Sequence, residues 1–281
     1  MEHHQRSGIG NATILHYMLS WFRMPRNFEM TVWTSQIQQA MAIKYAVEHW
    51  RRSMPRGMGT LYWQINDCWP VASWSSIDSF GRWKALHYAA KHFFAPLLVS
   101  GLEDTAKGTV EIWVNSDKLE QVPVTVKWTV MKVSGEIIDS GTIGSSVGPM
   151  SAKKVRTLTL GRLVESKGAE NLLVRLGLMH KGHEVSSNLV LFARPKQMEL
   201  KDPSITCSIT RRGDGFAAVL NAKHPALWAW LELKGLDARL SDNFVHLMPG
   251  KPVTIQINPS NQIPVSELKR RIRVRSLFNT F

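Results

Sequence analysis

The sequence predicts a mixed architecture, α/β over its first third and all-β over the rest. Three observations point to it. Seven of the eleven tryptophans lie at or before Trp83, in segments whose apolar residues recur at helical spacing. The order there is helix, short apolar strand, long loop, helix, as in the closing part of a (β/α)8 barrel. From about residue 108 onward, apolar residues alternate at every second position instead. The 281 residues allow two or three domains. They are too few for a whole barrel, which takes about 250 residues by itself, plus additions.

The elements follow in order. Residues 11–22 fit a short helix with Ile14, Leu15, Met18, Leu19 and Phe22 inward, stopped by Pro25. Thr34 or Ser35 is placed to cap a second helix that runs to Arg52, with Ile37, Met41, Tyr45 and Val47 inward. Residues 60–65 (TLYWQI) read as a compact strand. A loop over residues 66–81 follows, and then a helix over 82–94 stopped by Pro96. Residues 110–115, 122–133, 155–160, 171–179 and 187–193 carry strand signals without helical runs, the pattern of a β-sandwich. After a connector at 194–202, strand signals at 204–210, 216–221, 227–233, 244–247, 252–258 and 271–277 predict a second sandwich.

Composition excludes several functions. The formal net charge of +13 invites a nucleic-acid partner, but no nucleic-acid module accompanies it. The one dense basic run, Lys269–Arg275, reads as a solvated strand face or an anion-binding patch. Cys68 and Cys207 are too far apart for a zinc motif and read as free buried thiols. No apolar run reaches the ~20 residues that a membrane span requires. Residues 1–10 lack the basic start and apolar stretch of a signal peptide. His180 and His183 lie far from any acid cluster, so neither a metal nor another cofactor is expected.

The densest chemistry lies in Gly59–Asp78, GTLYWQINDCWPVASWSSID. Indole faces stack on the apolar C–H faces of sugar rings, and Asn and Asp side chains bond hydroxyls. A pocket with aromatic walls and a few polar groups suits a small polar ligand. Two readings stand on the residues alone: a sugar site, or aromatic packing beneath a loop.

The stretch GTLYWQINDCWPVASWSSIDSFGRWKALHYAAKHFFAPLLVS resembles the closing barrel segment of the β-mannosidases of glycoside hydrolase family 2. MEHHQRSGIGN and VWTSQIQQAMAIKYAVEHWRRSMPRGMGTLYWQ resemble the segments around the seventh and eighth barrel strands, and LSDNFVHLMPGKPVTIQI resembles the final β-domain. The resemblance implies the last part of a (β/α)8 barrel over residues 1–100. Ig-like β-sandwiches over 101–195 and 196–281 would follow. It also implies a retaining hydrolysis of terminal β-linked mannose, which needs two carboxyl groups about 5 Å apart. Both family glutamates lie on motifs absent from this chain. Its early acids are Glu2, Glu29, Glu48, Asp67 and Asp78; Glu2 and Glu48 match non-catalytic parts of the family and Glu29 lies in the connection between two helices, so no catalytic residue is assigned and the chain alone is expected to be inactive.

By the same resemblance Trp63 matches the aromatic floor of the mannose subsite, the alternative being core packing. Asn66 and Asp67 either bind hydroxyls or brace the loop through Asx turns. Trp69 and Trp74 either line the sugar site or pack the loop, and Asp78 fixes the turn before Gly81. His3 and His4 read as second-layer or plain loop histidines. The expected partner is a β-mannoside, with no nucleic acid and no membrane. A competing reading makes the β-domains a non-catalytic carbohydrate-binding or interaction module; rings exposed at Trp113 or at Trp228 and Trp230, placed on one face by their spacing, favour it. A further reading is a split enzyme whose remaining barrel comes from another polypeptide. Residues 1–95 are then expected to expose apolar surface and to be poorly ordered in isolation.

Overall fold

The structure, a computed structural model, describes residues 1–281. In chain order it forms α1 (Gly10–Trp21), α2 (Phe28–Arg52) and α3 (Ala85–Phe93), then a run of short antiparallel strands. The first group is β1 (Leu97–Asp104), β2 (Thr109–Ser116), β3 (Val122–Lys132), β4 (Ile137–Val147), β5 (Ser151–Thr159), β6 (Leu172–His180) and β7 (His183–Leu191), with α4 (Gly161–Lys167) after β5. The second is β8 (Thr206–Arg212), β9 (Gly215–Asn221), β10 (Ala226–Leu233), β11 (Ala238–Leu240), β12 (Val245–Leu247), β13 (Val253–Pro259) and β14 (Ile272–Arg275), with α5 (Val265–Arg271) before β14. Two compact units divide the chain: residues 41–62 with 89–199, and residues 1–40 with 63–88 and 200–281.

In the unit containing residues 89–199, the sheets β1-β2-β5 and β4-β3-β6-β7 enclose one core. The alternation seen in sequence is what fills it. Val122, Val124, Val126, Trp128 and Val130 of β3 are buried together with Val110, Ile112 and Val114 of β2 and Leu176 of β6. β4 escapes the sequence pattern because IIDSGTIGSSV is rich in Gly and Ser. Its Gly141 is required by packing: a β-carbon there lies 2.6 Å from the Trp128 ring. β1 follows Pro96 directly and pairs with β2 from Leu97↔Ser116 to Asp104↔Thr109.

The C-terminal half of α2 belongs to this unit and is fixed in it by buried charge. Arg51 donates to the Phe93 and Ala95 carbonyls and to Asp117, each at 2.8 Å. Glu48 accepts from Lys44 and from Asn188 at 2.8 Å, and Arg52 donates to Ser100. Tyr45, predicted inward, is half-buried and donates its hydroxyl to Glu103. Burial pushes the Glu103 carboxyl above the usual carboxylate range, against the opposing pull of Tyr45, Lys44 and Arg52.

The other unit contains sheets β11-β13-β9-β8 and β12-β10-β14. Phe216, Ala218 and Ile257 fill one core cluster with Leu231 and Leu268, and Leu220, Ile255, Ala226 and Leu247 fill another. Residues on and just after the helices of the same unit add aromatic contacts: Trp33 on Trp230 and Phe244, Tyr88 on Phe244, and Phe22 on Trp228. Arg275 of β14 bonds Glu29 and Glu232 at 2.7 and 2.9 Å.

Several expectations are corrected. Residues 60–65 form no strand. A lone apolar segment finds no ladder there, and the only bridges near it are Asn66↔Ile77 and Ile77↔Trp83. α2 begins at Phe28, capped by Asn27, whose Oδ1 accepts from the Met30 N–H, rather than by Thr34 or Ser35. Leu15 is exposed although Met18 and Phe22 are buried. Cys68 is exposed, since it lies in the open loop, and Cys207 is half-buried. Trp228 and Trp230 do not present one exposed aromatic face: Trp230 is fully buried, and β10 is irregular between Ala226 and Ala229, with Trp228 at φ +46°. The β-domains also contain α4 and α5, seven residues each and too short to give a helical period. α5 takes the first half of the basic run, where Arg271 pairs with Glu267 and donates to the Lys234 and Gly235 carbonyls.

Candidate functional site

The loop between α2 and α3 is built by local bonds. Asn66 and Ile77 bridge in parallel, and Ile77 and Trp83 antiparallel, so three backbones run side by side. The Ser76 and Ile77 N–H groups donate to the Ile65 carbonyl at 3.0 and 2.7 Å, and Asp67 N–H donates to the Ile77 carbonyl. Ser76 also bonds the Ile65 carbonyl and His87 through its hydroxyl, and burial pushes the His87 imidazole below its usual value.

Asp67 is the centre of the loop. The carboxylate is buried, accepts from Ser73 Oγ at 2.7 Å and from Ser75 Oγ, and faces Lys84 Nζ at 3.8 Å. Burial pushes the Lys84 ammonium below the usual lysine range, while Asp67 pulls the other way. Both carboxylate oxygens are therefore engaged in bracing. Ser73, Ser75 and Lys84 were not singled out in sequence, although serine hydroxyls two residues apart, just past an Asp, are the signal that betrays such a brace.

Trp69 is half-buried against the N-terminal segment. Its ring stacks on His4, with centroids 6.1 Å apart, and the Arg6 guanidinium lies 4.7 Å from its centroid. His4 also bonds the Pro70 carbonyl through Nδ1, and its own carbonyl accepts from Ala72 N–H. Trp63 is different: it is 74% exposed, and the Trp63–Gln64 peptide is cis. Asn66 is exposed too, with its carbonyl accepting from Gln64 Nε2. Of the four sequence-predicted residues, Asp67 is buried within the loop, Trp69 packs on the N-terminal segment, and Trp63 and Asn66 stand open.

Asp78 fixes the next turn. Its Oδ1 accepts from the Phe80 and Arg82 N–H groups, both at 2.9 Å, and Gly81 takes φ +78°. The remaining early acids are engaged elsewhere: Glu2 with Asn11, Glu29 with Arg275, and Glu48 in its buried ion cluster. No group of three or more His, Cys, Asp or Glu side chains is placed to hold a metal ion. No helix is long and apolar enough to cross a membrane.

Comparison with known proteins bears on the whole chain. A family model described as "Mannosidase Ig/CBM-like domain" matches residues 108–197, and one described as an Ig-fold domain of mannosidases matches residues 200–280. The beta-mannosidase of Bos taurus is 33% identical over 302 residues, covering 99% of this chain and 34% of that protein. The beta-mannosidase of Mus musculus is 29% identical with the same coverage. The crystal structure of a beta-D-mannosidase from Dictyoglomus thermophilum superposes with a TM-score of 0.87 at 24% identity, over 98% of this chain and 33% of that one, which fixes the fold. The chain spans about a third of the length of the curated relatives it matches. With two Ig-like mannosidase domains and near-complete coverage by these relatives, the chain belongs to the β-mannosidase family.

Proposed function

We propose that the chain is the C-terminal part of a retaining β-mannosidase: the end of a (β/α)8 barrel over residues 1–100, then Ig-like sandwiches over 101–195 and 196–281. The observation that carries this reading is the 33% identity to a beta-mannosidase over 99% of the chain but 34% of the relative. The substrate is a terminal β-D-mannoside. In the double-displacement chemistry of such enzymes one carboxyl group protonates the glycosidic oxygen and a second attacks the sugar. This chain supplies neither carboxylate. Its contribution is the sugar-facing wall: Trp63, whose exposed indole suits the C–H face of a pyranose, and Asn66, whose amide suits a hydroxyl. Asp67 and Trp69 serve that wall from behind, by holding its loop.

An assay of the purified chain with an aryl β-mannoside tests the absence of the acids. No turnover is expected. Turnover that survives both Asp67→Ala and Asp78→Ala overturns the reading.

A further inference from the structure

Beyond Trp63 and Asn66, the same unit carries a second exposed aromatic with polar partners. Phe80 is 68% exposed. The Arg82 guanidinium lies 5.0 Å from its ring centroid. Arg82 in turn donates from Nε to Asp237 Oδ1 at 2.7 Å and from Nη2 to Oδ2 at 3.4 Å, and both side chains are more than half exposed. Its Nη1 has only a distant acceptor in Asp78 Oδ2, at 4.0 Å.

Both supports are rigid. The 78–82 turn is closed by Asp78 N–H to the Arg82 carbonyl and by Arg82 N–H to Asp78 Oδ1, each at 2.9 Å. Asp237 precedes β11, its carbonyl accepts from Ser260 N–H, and Arg271 ties the neighbouring 234–235 carbonyls. A tethered guanidinium pays little ordering entropy when it binds. The Arg82–Asp237 pair therefore presents fixed donors and acceptors side by side, with the guanidinium over one face of the Phe80 ring and the other face left to solvent. Vicinal hydroxyls, each both donor and acceptor, above an apolar C–H face are the complement of that arrangement.

The turn is also joined to the Trp63 segment. Backbone bridges from Asn66 to Ile77 and from Ile77 to Trp83 tie the segments on either side of Phe80 to the one that follows Trp63. We propose that Phe80, Arg82 and Asp237 form a platform for a further pyranose ring of a β-linked manno-oligosaccharide, with the last Ig-like domain contributing Asp237 to it. The inference rests on the reading of the chain as the sugar-facing part of a β-mannosidase.

Titration calorimetry of the full chain with β-1,4-mannotriose tests it. Phe80→Ala is expected to weaken binding about tenfold, a loss of about 1.4 kcal/mol. Phe80→Tyr is expected to retain binding, and Asp237→Asn to weaken it by a smaller factor. Absence of binding by the unmodified chain, or wild-type binding by Phe80→Ala, overturns the platform. Trp63→Ala separates the two ideas. A loss there with Phe80→Ala unchanged removes the platform and leaves the sugar wall, whereas the reverse keeps the platform and removes Trp63 from the wall.

Discussion

The loop over residues 60–84 and the sandwich over residues 97–192 treat apolar residues in opposite ways. In the sandwich, alternation puts valines and leucines inward from two facing sheets, and the core closes on itself. In the loop, Leu61, Trp63, Ile65, Trp74, Phe80 and Trp83 are exposed. The asymmetry extends to the first third as a whole: sixteen of the twenty exposed large hydrophobics fall within residues 1–94. An antiparallel sandwich carries its own ladder partners in neighbouring sequence, whereas residues 60–65 have no ladder partner. Apolar residues thus form a sealed core in one region and stay exposed in the other.

This contrast can be broken or sharpened by substitution. The largest effect is expected for Trp230→Ala, which empties a fully buried site between Trp33 and Phe244. It should cost about 3–5 kcal/mol in urea denaturation, and a loss below about 1 kcal/mol contradicts the packing. Arg51→Ala comes next. It strands the Phe93 and Ala95 carbonyls and removes the partner of Asp117, for a loss of about 2–4 kcal/mol.

Asp67→Ala should act locally, removing the acceptor that Ser73, Ser75 and Lys84 share and leaving Ser75 with the Ile77 carbonyl and Lys84 with the Ser73 carbonyl. A loss of about 1–3 kcal/mol is expected, with faster proteolytic cleavage between residues 66 and 76. Cleavage at the unmodified rate shows that the brace is dispensable.

A pH effect is expected at Glu103. A carboxyl raised on folding gives its full stability below the ordinary carboxylate range and loses it as pH rises through the raised folded value. Denaturation midpoints should fall over that interval. Glu103→Gln, still able to accept from Tyr45, should flatten the slope. The smallest effect belongs to Trp63→Ala: within about 0.5 kcal/mol of the unmodified chain, because the ring is already in water. A larger cost makes it a packing residue.

Much of this organisation was legible in the sequence. Period-two runs such as Val122–Val130 became strands where they were expected, because every second side chain has an apolar face to enter. β4 was missed because its small residues carry no alternation, and the need for Gly141 arises only from the Trp128 ring on the neighbouring strand. TLYWQI misled for a physical reason: strand propensity is a statement about fitting a pleated, half-buried surface, and this segment has none. The loop's wealth in Trp, Asn, Asp and Ser was visible in sequence. Its division of labour was not, since the burial of Asp67 depends on Ser73, Ser75 and Lys84 converging on it, and the Arg82–Asp237 contact joins residues 155 positions apart.

The chain passes between its two compact units at 40/41, 62/63, 88/89 and 199/200, and the first and third of these points lie inside α2 and α3. No single cut therefore yields either unit whole. Gene fragments ending at residue 100 or starting there leave one unit without residues 200–281 or the other without residues 41–62. Separate production of the parts calls for circular permutation or co-expression of several segments. Exchanging the β-domains between relatives calls for junctions within α2 and α3 as well as at the connector over residues 194–202.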